Sequence, residues 1–200
     1  MLMRQKYLFA GVLAFTLLGC SLATTVVQPT DTRVVPTGSP ERVLSTEDFS
    51  LTCPAGWLTH GELFGGQVRQ GHDPIFDADI LMQINDAVLT SYGDKFVASC
   101  QVLTKPIREG KSLADTASSS YVFFEQNDYP ILSQAEMSFA GAQGIEVIAK
   151  RPDGPTWYQF RDLWVAQESR AYVLSCQTHP DDFEDTLPLF EGVADSFGFK

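Results

Sequence analysis

The chain has 200 residues, 44% of them hydrophobic and 12% aromatic, enough apolar surface for one well-packed domain. That composition excludes a disordered chain and a small disulfide-framework protein. A formal charge of −11 repels nucleic-acid phosphates and anionic lipid headgroups alike, so no nucleic-acid role is expected and any membrane attachment has to come from a lipid.

Arg4 and Lys6 precede an apolar run, Tyr7–Leu18, and Gly19 is a small residue ahead of a processing site. This is the layout of a secretory signal peptide. The run of about 12 residues falls well short of the roughly 20 that a spanning helix needs. Leu17-Leu18-Gly19-Cys20 resembles the lipobox of bacterial lipoproteins. The resemblance implies that residues 1–19 are removed, that Cys20 receives a diacylglycerol, and that the protein sits outside the cytoplasm on a bacterial cell membrane. Two or three acyl chains anchor stably where one binds only marginally. Loss of Arg4 and Lys6 with the leader takes the remainder to about −13. Residues 20–46 are rich in Thr, Ser and Val and contain Pro29, Pro36 and Pro40. They read as the lipidated cysteine and a flexible tether, with the folded domain at 47–200.

Within that domain, Phe49–Cys53 alternates apolar and polar positions as a half-buried strand does. Pro54-Ala55-Gly56 then turns the chain into Trp57. Further strands are expected at 62–70, at 78–87 with Ile80, Met82 and Ile84 on one side, and at 95–104. Ser112 caps a helix with Asp115 at the capping-box position, and Leu113, Ala117, Tyr121 and Phe124 recur at helical spacing. Strands at 131–139, 144–150, 156–167 and 170–177 are separated by turn residues at 140–144, 152–155 and 168–169. Such short connections favour an antiparallel meander. A last helix opens at Pro180, a residue suited to the first helical position. Asp181, Asp182 and Glu184 lie in its first turn, and Phe183, Leu187, Phe190, Ala194 and Phe197 form its apolar stripe. Strands segregated from helices indicate an α+β fold, a central antiparallel sheet flanked by helices on one or both faces.

Three stretches carry a resemblance to the PsbP-like domain family. Phe49–Trp57 resembles its opening strand and Pro-x-Gly-Trp turn, although Cys53 stands where the family often has an aromatic or other apolar residue. Phe139–Gly144 resembles its small-residue turn. Tyr172–Cys176 with Pro180, Phe183 and the closing Val193–Phe197 resembles its last strand and terminal helix. The resemblance covers about 47–200 and implies an α/β/α arrangement with a central antiparallel sheet. It also implies a non-enzymatic role as extrinsic subunit, assembly factor or binding module, and brings no catalytic residues.

Several residues could carry chemistry. His72, Asp73, Asp77 and Asp79, with His60 upstream, are plausible ligands for a divalent cation, and otherwise form a solvated acidic loop. With Cys20 lipidated, Cys53, Cys100 and Cys176 allow at most one bridge. Cys53 and Cys176 share inward-facing parity with their neighbours, so a 53–176 bridge forms if their strands adjoin; otherwise all three are buried thiols. Cys176 near His179 could be a nucleophile with its base, against a buried structural cysteine. Trp57, Trp157, Tyr158, Phe160 and Trp164 divide between core and surface in a way that strand parity does not resolve, and an exposed tryptophan would mark a docking surface. No Gly-x-Ser-x-Gly, Ser-x-x-Lys or His-Glu-x-x-His pattern is present. The expectation is therefore a lipid-anchored envelope protein that binds another envelope protein or complex, without enzymatic activity or a resident cofactor. The alternative is a carrier of a divalent metal or small ligand.

Overall fold

The computed structural model describes residues 39–63, 71–86 and 98–200. In chain order the elements are strands Arg42–Ser45 (β1), Phe49–Cys53 (β2) and Trp57–Thr59 (β3), and the one-turn helix His60–Leu63 (α1). Strands Gly71–Asp73 (β4), Ala78–Asp86 (β5) and Ala98–Pro106 (β6) follow, then helices Leu113–Ser120 (α2) and Val122–Gln126 (α3). Ile131–Phe139 (β7), Ala142–Asp153 (β8), Thr156–Gln167 (β9) and Arg170–Thr178 (β10) form the meander, ahead of helix Phe183–Ser196 (α4) and strand Gly198–Phe199 (β11).

The meander follows from its turn residues. Ala140 and Gly141 both take positive φ, 52° and 77°, the two-residue pattern whose twist matches that of the flanking strands. Gly154 at 63° and Glu168 at 54° open the next two turns. The sheet order is β3-β5-β6-β10-β9-β8-β7, with β4 paired onto β5, and every pairing is antiparallel. A smaller sheet has the order β1-β2-β11.

Consecutive residues on a strand face opposite sides, and Val173 and Leu174 on β10 lie in different cores. Leu174 joins Leu163 and Val165 against Phe183, Phe190 and Val193 of α4 and Phe49 and Leu51 of β2. Val173 joins Trp164, Leu103 and Val147 against Ala117 and Tyr121 at α2 and Phe124 of α3. Each of these large apolar side chains contributes roughly 1.5–3 kcal/mol by leaving water. The molecule is thus mostly antiparallel sheet, with a few helices packed on it.

The helix signals hold in detail. Ser112 Oγ accepts from the Asp115 N–H at 3.0 Å, and the Asp115 carboxylate accepts from the Ser112 N–H at 2.9 Å, a closed capping box. The last helix begins later than expected, because Pro180–Asp182 forms a 3₁₀ turn first. α4 also tolerates Pro188 in its interior. An interior proline costs about 3 kcal/mol, which the buried Phe183, Phe190 and Val193 offset.

Three expectations are corrected. The tether does not run to residue 46, because Arg42–Ser45 pairs with β2, Leu44 opposite Leu51. Arg42 also pairs with Glu62 and donates to the Trp57 carbonyl at 3.2 Å, so β1 is held by partners distant in sequence. The strand expected at 62–70 is helical at His60–Leu63, and residues 64–70 lie outside the described set, as do residues 95–97 of the strand expected at 95–104. The proposed Cys53–Cys176 bridge is replaced by Cys100–Cys176, whose Cα atoms are 4.0 Å apart. Cys53 faces inward as expected, but β2 belongs to the smaller sheet, whereas Cys100 stands directly opposite Cys176 in the β6–β10 register. Cys53 remains a buried free thiol.

Gly144 gives a sharp test of this packing. A Cβ there would lie 2.5 Å from the Trp164 carbonyl oxygen, a backbone atom that cannot swing aside. Gly144→Ala is predicted to lower unfolding free energy by about 1–3 kcal/mol. Gly192→Ala, in open space within α4, should raise it by about 0.5–1 kcal/mol. Urea midpoints of the two variants check this; equal destabilisation would contradict the packing described.

Candidate functional site

The meander begins at an edge. Among the described residues β7 pairs with β8 alone, and residues 131–136 are all exposed. Natural edge strands are usually blunted by Lys, Pro, strong twist or a cover. In β7 the single charge is Glu136, there is no proline, and one irregularity lies at its start, between Ile131 and Ser133. The backbone N–H and C=O groups of alternate residues along β7 therefore point outward with no partner strand among the described residues.

An exposed aromatic ladder adjoins the start of this edge. On α3, Phe124 is buried while its neighbour Phe123 is 40% exposed, as adjacent helical positions must point in different directions. The Asn127 side chain donates to the Phe123 carbonyl at 2.8 Å, and the Tyr129 N–H donates to the Phe124 carbonyl at 2.8 Å. This closure folds Tyr129 back against Phe123 and Phe124, with centroids 5.8 and 6.0 Å away. Trp157, 43% exposed on β9, meets Tyr129 edge to face at 6.0 Å. Beyond Pro130 the chain continues into the exposed Ile131 and Leu132. Large apolar side chains are thus gathered on the surface beside an open sheet edge.

Beneath, the sheet face shared with α2 and α3 turns from apolar to polar. Asp162, Ser175, Gln101 and Gln83 stand in one row across β9, β10, β6 and β5. Tyr121 donates to Asp162 Oδ2 at 2.6 Å and accepts from Trp164 Nε1 at 3.1 Å. Asp162 is fully buried, and burial raises its pKa to about 6 against opposing help from Ser175, Tyr121 and Arg151. Burial, then the Asp162 charge, push the Tyr121 hydroxyl well up. The Arg151 guanidinium lies 4.5 Å from the Phe160 ring centroid, and burial pushes its pKa down. Gln83 Oε1, Asn85 Nδ2, Arg151 Nε and Asp162 Oδ1 meet no hydrogen-bond partner among the described residues. This interior holds a carboxyl and a guanidinium at real cost.

The sequence-nominated residues separate. His72 lies 3.1 Å from Asp77 and 3.6 Å from Asp79, all three exposed. Asp73 instead is buried, its Oδ1 accepting from the Ile75 and Phe76 N–H groups at 2.9 and 3.0 Å and its Oδ2 facing Gln101 at 3.4 Å. Asp73 thus caps the β4–β5 turn rather than joining the other three. No group of three or more His, Cys, Asp or Glu side chains among the described residues is arranged to hold a metal ion. Cys176 is bonded to Cys100 and offers no thiolate, while His179 Nδ1 accepts from the Asp181 N–H at 3.3 Å. Burial pushes the Cys53 thiol up, away from nucleophilic character. Of the aromatic set, Trp57, Tyr158, Phe160 and Trp164 are core, and Trp157 alone is exposed. Cys20 lies outside the described residues. Sequence reasoning missed Phe123, Tyr129 and the open β7 edge. The adjacent pairs Phe123-Phe124 and Ile131-Leu132 were the available signal, since two large apolar neighbours rarely share one core-facing side.

No protein-family profile and no curated protein sequence matches the chain. Solved structures do. Cyanobacterial PsbP (CyanoP) from Synechocystis superposes with a TM-score of 0.55 at 15% identity, over 82% of this chain and 94% of that one. LpqN of Mycobacterium tuberculosis, described as involved in cell envelope biogenesis, gives a TM-score of 0.52 at 8% identity, over 80% and 91%. The fold is that of a PsbP-like domain. Among the described residues no helix is long and apolar enough to cross a membrane.

Asp162 provides a pH test of the buried network. Its folded pKa, about 6, stands above the ordinary value of 3.8, so its contribution to stability is full below about pH 4 and is lost as pH rises through 6. Asp162→Asn, which cannot ionise, should gain stability relative to the parent as pH rises from 4 to 7 in paired urea titrations. Parallel curves across that window would contradict the buried, ionisable carboxyl.

Proposed function

We propose that this protein is a non-enzymatic accessory module of a bacterial cell envelope, held to the membrane by lipid on Cys20 and docking another envelope protein through the β7 edge and the Phe123–Tyr129–Trp157 ladder. The observation that carries the reading is the coincidence of a long exposed edge strand, guarded only by Glu136 and one irregularity at its start, with exposed aromatics in a chain of charge −11. Such a charge keeps chains apart and soluble, so an apolar patch kept on this surface has a use other than packing within the domain. Backbone groups at the edge supply affinity by strand addition, and the aromatic rings supply the buried anchors that dominate protein interfaces. The lipobox-like Leu17–Cys20 and the setting of LpqN support an envelope location. α4 and the β1-β2-β11 sheet pack on one face of the large sheet and α2 and α3 on the other, and no described strand pairs with the outer side of β7.

The test is crosslinking of the membrane-anchored protein in cells, followed by mass spectrometry. A recurrent captured envelope protein is expected, and it should be lost in a Phe123→Ser, Trp157→Ser variant whose melting temperature stays near that of the parent. Undiminished capture by the variant would place the interface elsewhere, and Cys20→Ala should move the protein out of the membrane fraction.

A further inference from the structure

A cavity of about 380 Å³ lies between the β4–β5 turn, the loop after β6, and α2. Three cations border it: Lys105 at the end of β6, and Arg108 and Lys111 in the loop. The loop is held at both ends. The Ile107 N–H donates to the Ser169 carbonyl at 2.8 Å, and the Lys111 N–H donates to the Arg108 carbonyl at 3.0 Å, which turns both side chains' backbone into one bend. Lys105 is fixed, its Nζ donating to the Phe76 carbonyl and, at 3.2 Å, to Ser120 Oγ. Burial lowers its pKa, and the charge of Arg108 lowers it further against the pull of Asp77.

Three like charges at one cavity repel unless something neutralises them. The two carboxylates on the rim answer two of these charges, Asp77 attracting Lys105 and Asp115 attracting Lys111, which leaves one positive charge in excess at the cavity. Asp77 sits 3.1 Å from His72, and Asp115 accepts from both the N–H and the hydroxyl of Ser112, at 2.9 and 2.8 Å. Neither Arg108 nor Lys111 makes an ion pair with a described residue. The hydroxyls of Ser119 and Ser120 already donate to the Thr116 carbonyl at 2.8 and 3.0 Å, so the cations rather than the hydroxyls would hold a guest. The negative field of the whole chain does not cancel this, because at physiological salt charges beyond about 8 Å are largely screened.

We propose that this cavity binds a phosphate-class oxyanion, free or as a phosphomonoester. Arg108 supplies the planar fork that grips two oxygens, and Lys105 and Lys111 act as point charges on the others, the division of labour these side chains show toward phosphate. The volume leaves room for an ester substituent beside the anion. This site is on α2, and the proposal stands independently of the docking surface at β7.

The test uses the full-length protein in detergent, with thermal unfolding followed at constant ionic strength while chloride is exchanged for inorganic phosphate or for glycerol 3-phosphate. A saturable rise in melting temperature with at least one of them is expected, since a ligand that binds only the folded state stabilises it. A larger rise with phosphate identifies the free ion as the guest, and a larger rise with glycerol phosphate identifies an esterified one. Arg108→Gln with Lys111→Gln, both at exposed positions, should leave melting in chloride unchanged and weaken binding at least about tenfold, the effect of one lost charge-assisted contact. No rise with either probe, or the same rise in parent and variant, overturns the proposal.

Discussion

Everything in this fold depends on β9 being buried on both faces. Eight consecutive side chains from Tyr158 to Val165 are inside, so neither face of the sheet can be left to water. One face therefore needs α4 and the β1-β2-β11 sheet, and the other needs α2 and α3. Neighbouring strands then inherit the same alternation, with Val147, Val173 and Leu103 on one side and Leu174, Val102 and Cys176 on the other. The Cys100–Cys176 bond joins β6 to β10 beside this strand. At the meander end of the sheet, the outer side of β7 has no partner strand among the described residues.

Covering both faces also encloses a polar row. On the face beneath α2 and α3 the apolar packing gives way to polar groups, and Asp162 stands there beside Ser175, held by Tyr121 at the end of α2. The carboxyl is held by a tyrosine that is itself held by Trp164. Such an arrangement stabilises one placement of α2 over slid alternatives, because moving the helix would strand a buried acid. This is a use of polarity for specificity at a cost in stability.

The parts of the fold that were legible in the sequence are those set by local chemistry. The strands from 131 to 177 were marked by Gly141, Gly154 and the Glu168-Ser169 pair, and α2 by Ser112 and Asp115. The stripe of Phe183, Phe190 and Ala194 marked α4. Long-range pairing was not legible. β1 is a four-residue strand that begins two residues after Pro40 and exists because β2 lies alongside it. Cys176 found Cys100 rather than Cys53 because strand order, not parity, decides which inward-facing cysteines meet. Asp73 read as a ligand beside His72, yet the β4–β5 turn uses it to cap two backbone N–H groups. Trp164 and Asp162 share a face, and parity alone cannot separate a core tryptophan from a surface one when the strand carries a buried acid. The open β7 edge was invisible for the same reason, since being an edge is a property of topology.

The central claim is that the uncovered side of β7 is an occupied surface in the living envelope. The most direct measurement is amide hydrogen exchange of β7, compared between the purified full-length protein and the same protein in native membranes. The account predicts fast exchange at the outward amides of residues 131–138 in isolation, and strong protection of those amides in membranes. Unchanged exchange there, with protection appearing on another face, would contradict it.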